Sequence, residues 1–220
     1  MDDNPLFIHY NLWVKKNIFL ISVNTRFLFI PNFYVNAGNL NLTDSTFAHM
    51  RNRDMMEQQM DNVVKMLKGN KILDVGTGFG NALSRLMADP SISVVSIDPE
   101  AWSFSELEKK YEDAVKEGRV KFLAMPVEKI DFPDNFFDTS IALDSLHHTK
   151  EPEIGIREME RVSSKAVVIT EWHESSGGIH NPHSKDHLKN IRDNIEKYCS
   201  TSGYSKKVFD YWYMFWKYKE

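Results

Sequence analysis

Between residues 71 and 172 the chain alternates two kinds of segment, and this alternation restricts the fold more than any other feature. Five short, predominantly apolar runs have strand length: KILDV (71–75), ISVVSID (92–98), RVKFLAM (119–125), FDTSIAL (137–143) and AVVITEW (166–172). Between them lie stretches of helical period. NALSRLMAD ends at Pro90, a second carries Phe104, Leu107, Tyr111, Ala114 and Val115 up to Gly118, and Glu151 to Val162 presents Ile154, Met159 and Val162. Apolar strands separated by amphipathic helices predict a parallel sheet covered on both faces. Upstream, Met56, Met60, Val63, Val64 and Leu67 form a helical stripe closed by Gly69, which reads as core packing. Downstream, a helix over Asp186 to Cys199 precedes KKVFDYWYMFWKYK, an aromatic run with room for two short strands.

The first 45 residues differ from the rest, being rich in Phe, Ile, Asn and Tyr and without helical period. IFLISV and RFLFI read as two strands joined at Asn24-Thr25, a ribbon that is an added edge, a lid or a plain extension. The apolar stretch from Ile18 to Ile30 is broken by Ser22, Asn24, Thr25 and Arg26, too short for a membrane span and without a small-residue cleavage site. The single cysteine, Cys199, excludes an internal disulfide and fits a reducing compartment, so a cytoplasmic location is expected. At 220 residues and a net charge of -4, the chain suits one α/β domain and gives no electrostatic case for nucleic acid or an anionic membrane.

The turn after the first of the five strands carries the chemistry. Gly76, Gly78 and Gly80 follow Asp74-Val75, and glycine lets a backbone turn tightly while a ligand presses against it. A dinucleotide loop has the spacing G-x-G-x-x-G, but position 81 is Asn81, and no Gly-Lys-Ser/Thr follows for a nucleoside triphosphate. Asp74 at the strand end suits a ligand bearing an ammonium group better than a pyrophosphate. On Asp74-Val75-Gly76-Thr77-Gly78-Phe79-Gly80 the sequence resembles the class I, seven-stranded S-adenosylmethionine-dependent methyltransferases, their small-molecule branch in particular. The resemblance covers residues from about Asp44 onward. It implies a Rossmann-like, doubly wound, mostly parallel seven-stranded sheet with an antiparallel C-terminal strand, over residues 46–220. It also implies S-adenosylmethionine as cofactor.

Other segments fit that frame. Asp98 follows Gly76 by 22 residues, close to the offset at which an acid meets a ribose, though an Asp there also caps a helix. The resemblance makes Asp98 the ribose ligand and its neighbour, here Pro99, a flank of the adenine. In MPVEKIDFPDNFFD, Val127 and Glu128 match the small and acidic residues near the adenine, with Glu128 otherwise a loop carboxylate. Pro126 stands where the family commonly has an Asp. Leu143 and Asp144 close the strand before LHHTKEPEIGIREMERV, at the sheet edge where α/β proteins bind ligands.

Methyl transfer from a sulfonium is an in-line displacement that chiefly needs alignment, plus a base where the acceptor must lose a proton. His147 and His148 are the catalytic candidates, with Glu171 and His173 after the next strand. His173, His180, His183 and His187 crowd EWHESSGGIHNPHSKDH, yet only His183 and His187 have ligand spacing. The stretch is expected to line an acceptor pocket, with no metal. Trp212, Tyr213, Phe215, Trp216 and Tyr218 read as sheet cover rather than a base-stacking platform. The expectation is a methyltransferase for a small-molecule acceptor. The rivals are a protein or tRNA acceptor, a silent S-adenosylmethionine binder, and an NAD oxidoreductase disfavoured by Asn81.

Overall fold

The computed structural model describes residues 11–15, 18–22, 27–30, 33–36 and 44–220, with side chains from Arg53 onward. The chain divides into two compact units, Met1–His49 and Met50–Glu220. In the first, β1 (Asn11–Lys15), β2 (Ile18–Ser22), β3 (Phe27–Ile30) and β4 (Phe33–Asn36) form a sheet of order β1-β2-β4-β3. The two expected strands are β2 and β3, but they do not pair as a hairpin. β4, a run the sequence reading passed over, lies between them, parallel to β2 and antiparallel to β3. The Asn24-Thr25 pair lies outside the described residues.

Helix α1 (Asp44–Met66) leads to Gly69, at φ 73°. A Cβ there would lie 2.3 Å from the Asp138 carboxyl group, which accepts hydrogen bonds from the Asn70 and Lys71 amides at 2.9 and 3.0 Å. Only glycine fits that close approach. The second unit then runs β5 (Lys71–Val75), α2 (Asn81–Leu86), β6 (Ser93–Asp98), α3 (Phe104–Lys110), α4 (Glu112–Lys116), β7 (Val120–Ala124) and β8 (Phe137–Leu143). It continues through α5 (Pro152–Val162), β9 (Ser163–Trp172), α6 (Lys185–Thr201), β10 (Ser205–Val208) and β11 (Trp212–Tyr218). The sheet order is β10-β11-β9-β8-β5-β6-β7, with β5 to β9 parallel and β11 antiparallel to both neighbours. This is the mostly parallel seven-stranded sheet that the sequence implied.

Two local departures have physical causes. The helix expected through Asp89 stops at Leu86, because Pro90 disfavours helical backbone in the residue before it and Asp89 turns back to accept the Ser91 amide at 2.8 Å. The helix expected from Phe104 to Val115 is interrupted at Tyr111, whose φ of −111° and ψ of 29° separate α3 from α4.

Successive residues of each central strand enter different cores, so the strands read as nearly unbroken apolar runs. Leu73, Val167, Ile169, Tyr213 and Phe215 face Ile156 and Met159 of α5 and Ile191 and Ile195 of α6. Ile72, Val168, Trp212 and Met214 face the opposite core, with Met60 and Val63 of α1, Leu83 and Leu86 of α2 and Leu107 of α3. The sheet order reverses at β5, which pairs with β6 on one side and β8 on the other. The connections leaving β5 and β8 run to helices on opposite faces of the sheet, α2 and α5, which opens a crevice at the strands' carboxyl edge. Among the described residues no helix is long and apolar enough to cross a membrane.

Candidate cofactor and acceptor site

The glycine turn fills the crevice floor. Gly76, Gly78 and Gly80 have φ of 86°, 47° and 76°, the left-handed region that favours glycine. At Gly76 a Cβ would also lie 2.2 Å from Cβ of Ser145, whose hydroxyl donates to the Val75 carbonyl at 2.8 Å. The turns after β5 and β8 therefore touch through a position that admits no side chain. Gly76 and Thr77 donate their amides to the Ile97 carbonyl, at 2.8 and 3.2 Å, which ties the turn to β6. Asp98 is held from both sides. Its Oδ2 accepts the Gly78 amide at 3.1 Å and its Oδ1 the Glu100 amide at 2.9 Å.

A cavity of about 870 Å³ lies over this edge, near the upper end for pockets that hold small ligands. Seven expected cofactor positions border it: Gly76, Gly78, Asp98, Pro99, Val127, Glu128 and Leu143. Two do not. Gly80 turns away against Leu107, where a Cβ would lie 2.6 Å from a methyl group. Asp74 is buried beneath the turn instead of facing the cavity, so its expected meeting with an ammonium group is not reproduced. The Asp74 Oδ2 accepts from Ser96 Oγ at 2.7 Å, Ser96 Oγ in turn lies 2.7 Å from Thr77 Oγ1, and the Asp74 Oδ1 has no partner. Burial pushes the Asp74 carboxyl up to about 7, against the pull of the Ser96 hydrogen bond.

Pro126 is exposed and outside the cavity border, while its neighbours Met125, Val127 and Glu128 line it. Gly155 of α5 explains the position of Val127, because a Cβ there would come within 2.9 Å of the valine methyl. Lining residues that the sequence did not single out for the site include Ser145, Met56, Phe79 and Trp102. Ser145 follows β8. Met56 belongs to a stripe read as core, yet it is half-buried at the cavity while Met60 and Val63 are buried. Phe79 and Trp102, 75% and 56% exposed, pack edge to face at 4.8 Å on the cavity rim. Their signal in the sequence is a large aromatic side chain inside a glycine turn and another just after the Asp98 strand.

The other end of the cavity is built on the β8 and β9 edges. Asp144 takes φ 49°, and its Oδ1 accepts from Gln59 Nε2 at 3.0 Å while Oδ2 is buried without a partner. Burial, with the Glu171 charge added, raises its carboxyl well above the usual range. Glu171 grips His147 twice, accepting its backbone amide on Oε1 at 3.1 Å and meeting its ring Nδ1 with Oε2 at 2.8 Å. Burial disfavours the charged ring of His147, but the Glu171 and Asp144 carboxyl groups outweigh it and raise its pKa. His148 and His183 are lowered by burial and by the neighbouring His147.

His147 and His148 both border the cavity, their ring centres 4.0 Å apart, and His183 joins them at 5.2 Å from His147. His173 does not reach the cavity, being engaged with Ser175 and near Arg192. Glu171 acts from behind His147. The sequence signalled each histidine separately, but could not show that residues from the β8 turn and from the approach to α6 converge.

Residues 73–169 match the model of a methyltransferase domain family. A tRNA U34 carboxymethyltransferase of Shewanella frigidimarina is 28% identical over 120 residues, covering 53% of this chain and 36% of that protein. The ubiquinone/menaquinone biosynthesis C-methyltransferase UbiE of Pseudomonas paraeruginosa is 35% identical over 116 residues, or 50% of this chain and 45% of that one. Among solved structures, magnesium protoporphyrin IX methyltransferase from Synechocystis PCC 6803 with bound SAH superposes with a TM-score of 0.57. It is 18% identical and the match covers 83% of this chain and 89% of that one, a likeness of fold. The chain spans from about a third to just over half the length of the first curated relatives it matches.

Proposed function

We propose that this chain, whose residues 73–169 match a methyltransferase domain family, is a class I S-adenosylmethionine-dependent methyltransferase acting on a small-molecule acceptor. The observation that carries the reading is one cavity shared by the glycine turn, Asp98 and the histidine pair, at the edge where the sheet order reverses.

The residues present fit S-adenosylmethionine. Gly76 and Gly78 leave room against the backbone, and Asp98 is a carboxylate of the kind that accepts from two vicinal hydroxyls. Pro99, Val127, Glu128 and Leu143 border a largely apolar slot suited to a base. Asp74 and Gly80 shape the turn from outside the cavity. When bound, the cofactor supplies an electrophilic methyl group on a sulfonium whose departure leaves a neutral thioether. What this chain's own groups contribute is alignment at near-attack distance. His147 and His148 stand where an acceptor enters, with Glu171 fixing the ring of His147 so that Nε2 is its remaining nitrogen. That nitrogen accepts a proton where the acceptor must lose one, an effect worth about 10²–10⁴-fold.

A net charge of -4 supports a small acceptor over a polyanion. The tRNA-directed relative supports a second reading, in which the acceptor is RNA. Calorimetry with S-adenosylmethionine, S-adenosylhomocysteine and NAD tests the cofactor half: the first two are expected to bind, and binding of NAD alone would overturn it. Methylation of cell extract fractions, before and after protease or ribonuclease, tests the acceptor half. Label that survives both treatments is the expected result, and label lost with ribonuclease establishes the RNA reading.

A further inference from the structure

Methyl transfer by alignment needs one imidazole at most, yet three line the acceptor end of the cavity and a fourth, His187, stacks behind them. His147 and His148 come from the turn after β8; His183 and His187 come from the approach to α6 and its first turn. One ring nitrogen from each of His147, His148 and His183 lies within 4.8 Å of the other two. His147 is nearly sealed, its side chain 4% exposed, with Nδ1 held by Glu171. A carboxylate on the far nitrogen is the support that a metal-bound imidazole carries, because it fixes the tautomer and aims the opposite nitrogen. Among the described residues, no hydrogen bond occupies the ring nitrogens of His148 or His183. His187 differs: it stacks on His183 at 4.6 Å, and its Nε2 lies 3.4 Å from the His147 carbonyl.

We propose that His147, His148 and His183 bind a divalent late transition metal ion such as Zn²⁺, with Glu171 as the positioning residue behind His147. Three imidazoles around a tetrahedral ion leave the fourth position open, the arrangement of zinc sites that take a water or substrate. Metal–nitrogen bonds of about 2.0–2.1 Å would set the nitrogens roughly 3.3 Å apart. Rotation of His148 and His183, on the cavity surface, closes the remaining distance around the fixed His147. Nitrogen ligands of this kind favour zinc, copper, nickel or iron over magnesium and calcium. The fourth position faces the cavity that His148 and His183 line. An acceptor hydroxyl or thiol would take it and, its pKa lowered by the ion, lose its proton to solvent. The ion then replaces His147 Nε2 as the acceptor's activator. The inference rests on the proposed function for the acceptor and on geometry alone for the ion. The sequence hid the site because His183 and His187 lack a carboxylate partner in their own segment, and the other ligands come from the β8 turn.

The test uses the full chain without a polyhistidine tag, stripped with a chelator and titrated calorimetrically with Zn²⁺ and with Mg²⁺. One Zn²⁺ per chain and no Mg²⁺ is the expected result. His183→Ala and His148→Ala should each abolish the stoichiometric site, Glu171→Gln should weaken it about 10–100-fold, and His173→Ala should leave it unchanged. Absence of stoichiometric Zn²⁺ binding, or binding indifferent to His148 and His183, overturns the proposal. Should a variant fail to fold, Co²⁺ added to the unaltered chain decides: visible absorption of tetrahedral cobalt is expected, and its absence refutes the site. S-adenosylhomocysteine titrated into the stripped protein reports on the cofactor reading separately, so either can fail without the other.

Discussion

At the scale of single residues, two aspartates 24 positions apart have opposite surroundings and make opposite predictions. Asp98 faces the cavity with two backbone amides already on its oxygens. Asp98→Ala should weaken S-adenosylhomocysteine by about 1–3 kcal/mol, the cost of charge-assisted hydrogen bonds, and calorimetry on the folded variant measures it. Asp74 lies under the turn, and its carboxyl is raised from 3.8 to about 7 by burial. Its folded form therefore holds a proton that its unfolded form releases. The stabilisation is complete at low pH, falls as pH rises from about 4 to about 7, and is level above that. Asp74→Asn keeps the shape without the charge, so its melting temperature should gain on the unaltered chain as pH climbs from 4 to 8. Scanning calorimetry of the ligand-free proteins at both pH values checks it; a gap independent of pH would deny the buried proton. The sequence located both residues but not their difference, because motif spacing fixes a position along a strand and says nothing of which oxygen water reaches. The partner of Asp144 was equally hidden, since Gln59 lies 85 residues away on α1 and only packing joins them.

At the scale of elements, the glycine turn and α5 are where sequence and geometry agree most closely. Gly76 sits in the left-handed region against Ser145, so Gly76→Ala meets both backbone strain and a clash. It should lose S-adenosylhomocysteine binding and cost at least about 1–3 kcal/mol, read together by calorimetry and denaturant unfolding. Ile156 on α5 is fully buried against the sheet, and Ile156→Ala should cost about 2–5 kcal/mol in denaturant unfolding while S-adenosylhomocysteine affinity stays unchanged. The alternation of apolar runs and helical stripes made the five parallel strands readable, since each strand is enclosed by core on both faces. Helix ends were less so: Tyr111 breaks α3 from α4 with no proline or glycine to announce it. The pairing of β2 and β3 was misread for a different reason, because two adjacent strand-like runs carry no record of a third strand inserted between them.

At the scale of the molecule, binding and stability are linked: a ligand that fits only the folded cavity shifts unfolding. S-adenosylhomocysteine at a hundred times its dissociation constant should add about 2.7 kcal/mol. For a chain of this size that raises the melting temperature by about 5–10 °C, and NAD at the same concentration should not. A thermal melt with each ligand settles it. The sheet itself sets an order of assembly. β11 is made after every strand it completes, yet it sits inside the sheet, between β9 and β10, with Trp212 and Tyr213 fully enclosed. While a ribosome still holds residues 212–218, β9 presents an unpaired edge and both cores lack a wall. The nascent chain therefore carries its sticky edge until residues 212–218 emerge, and slowed translation just before residue 212 should draw it toward chaperones or aggregation.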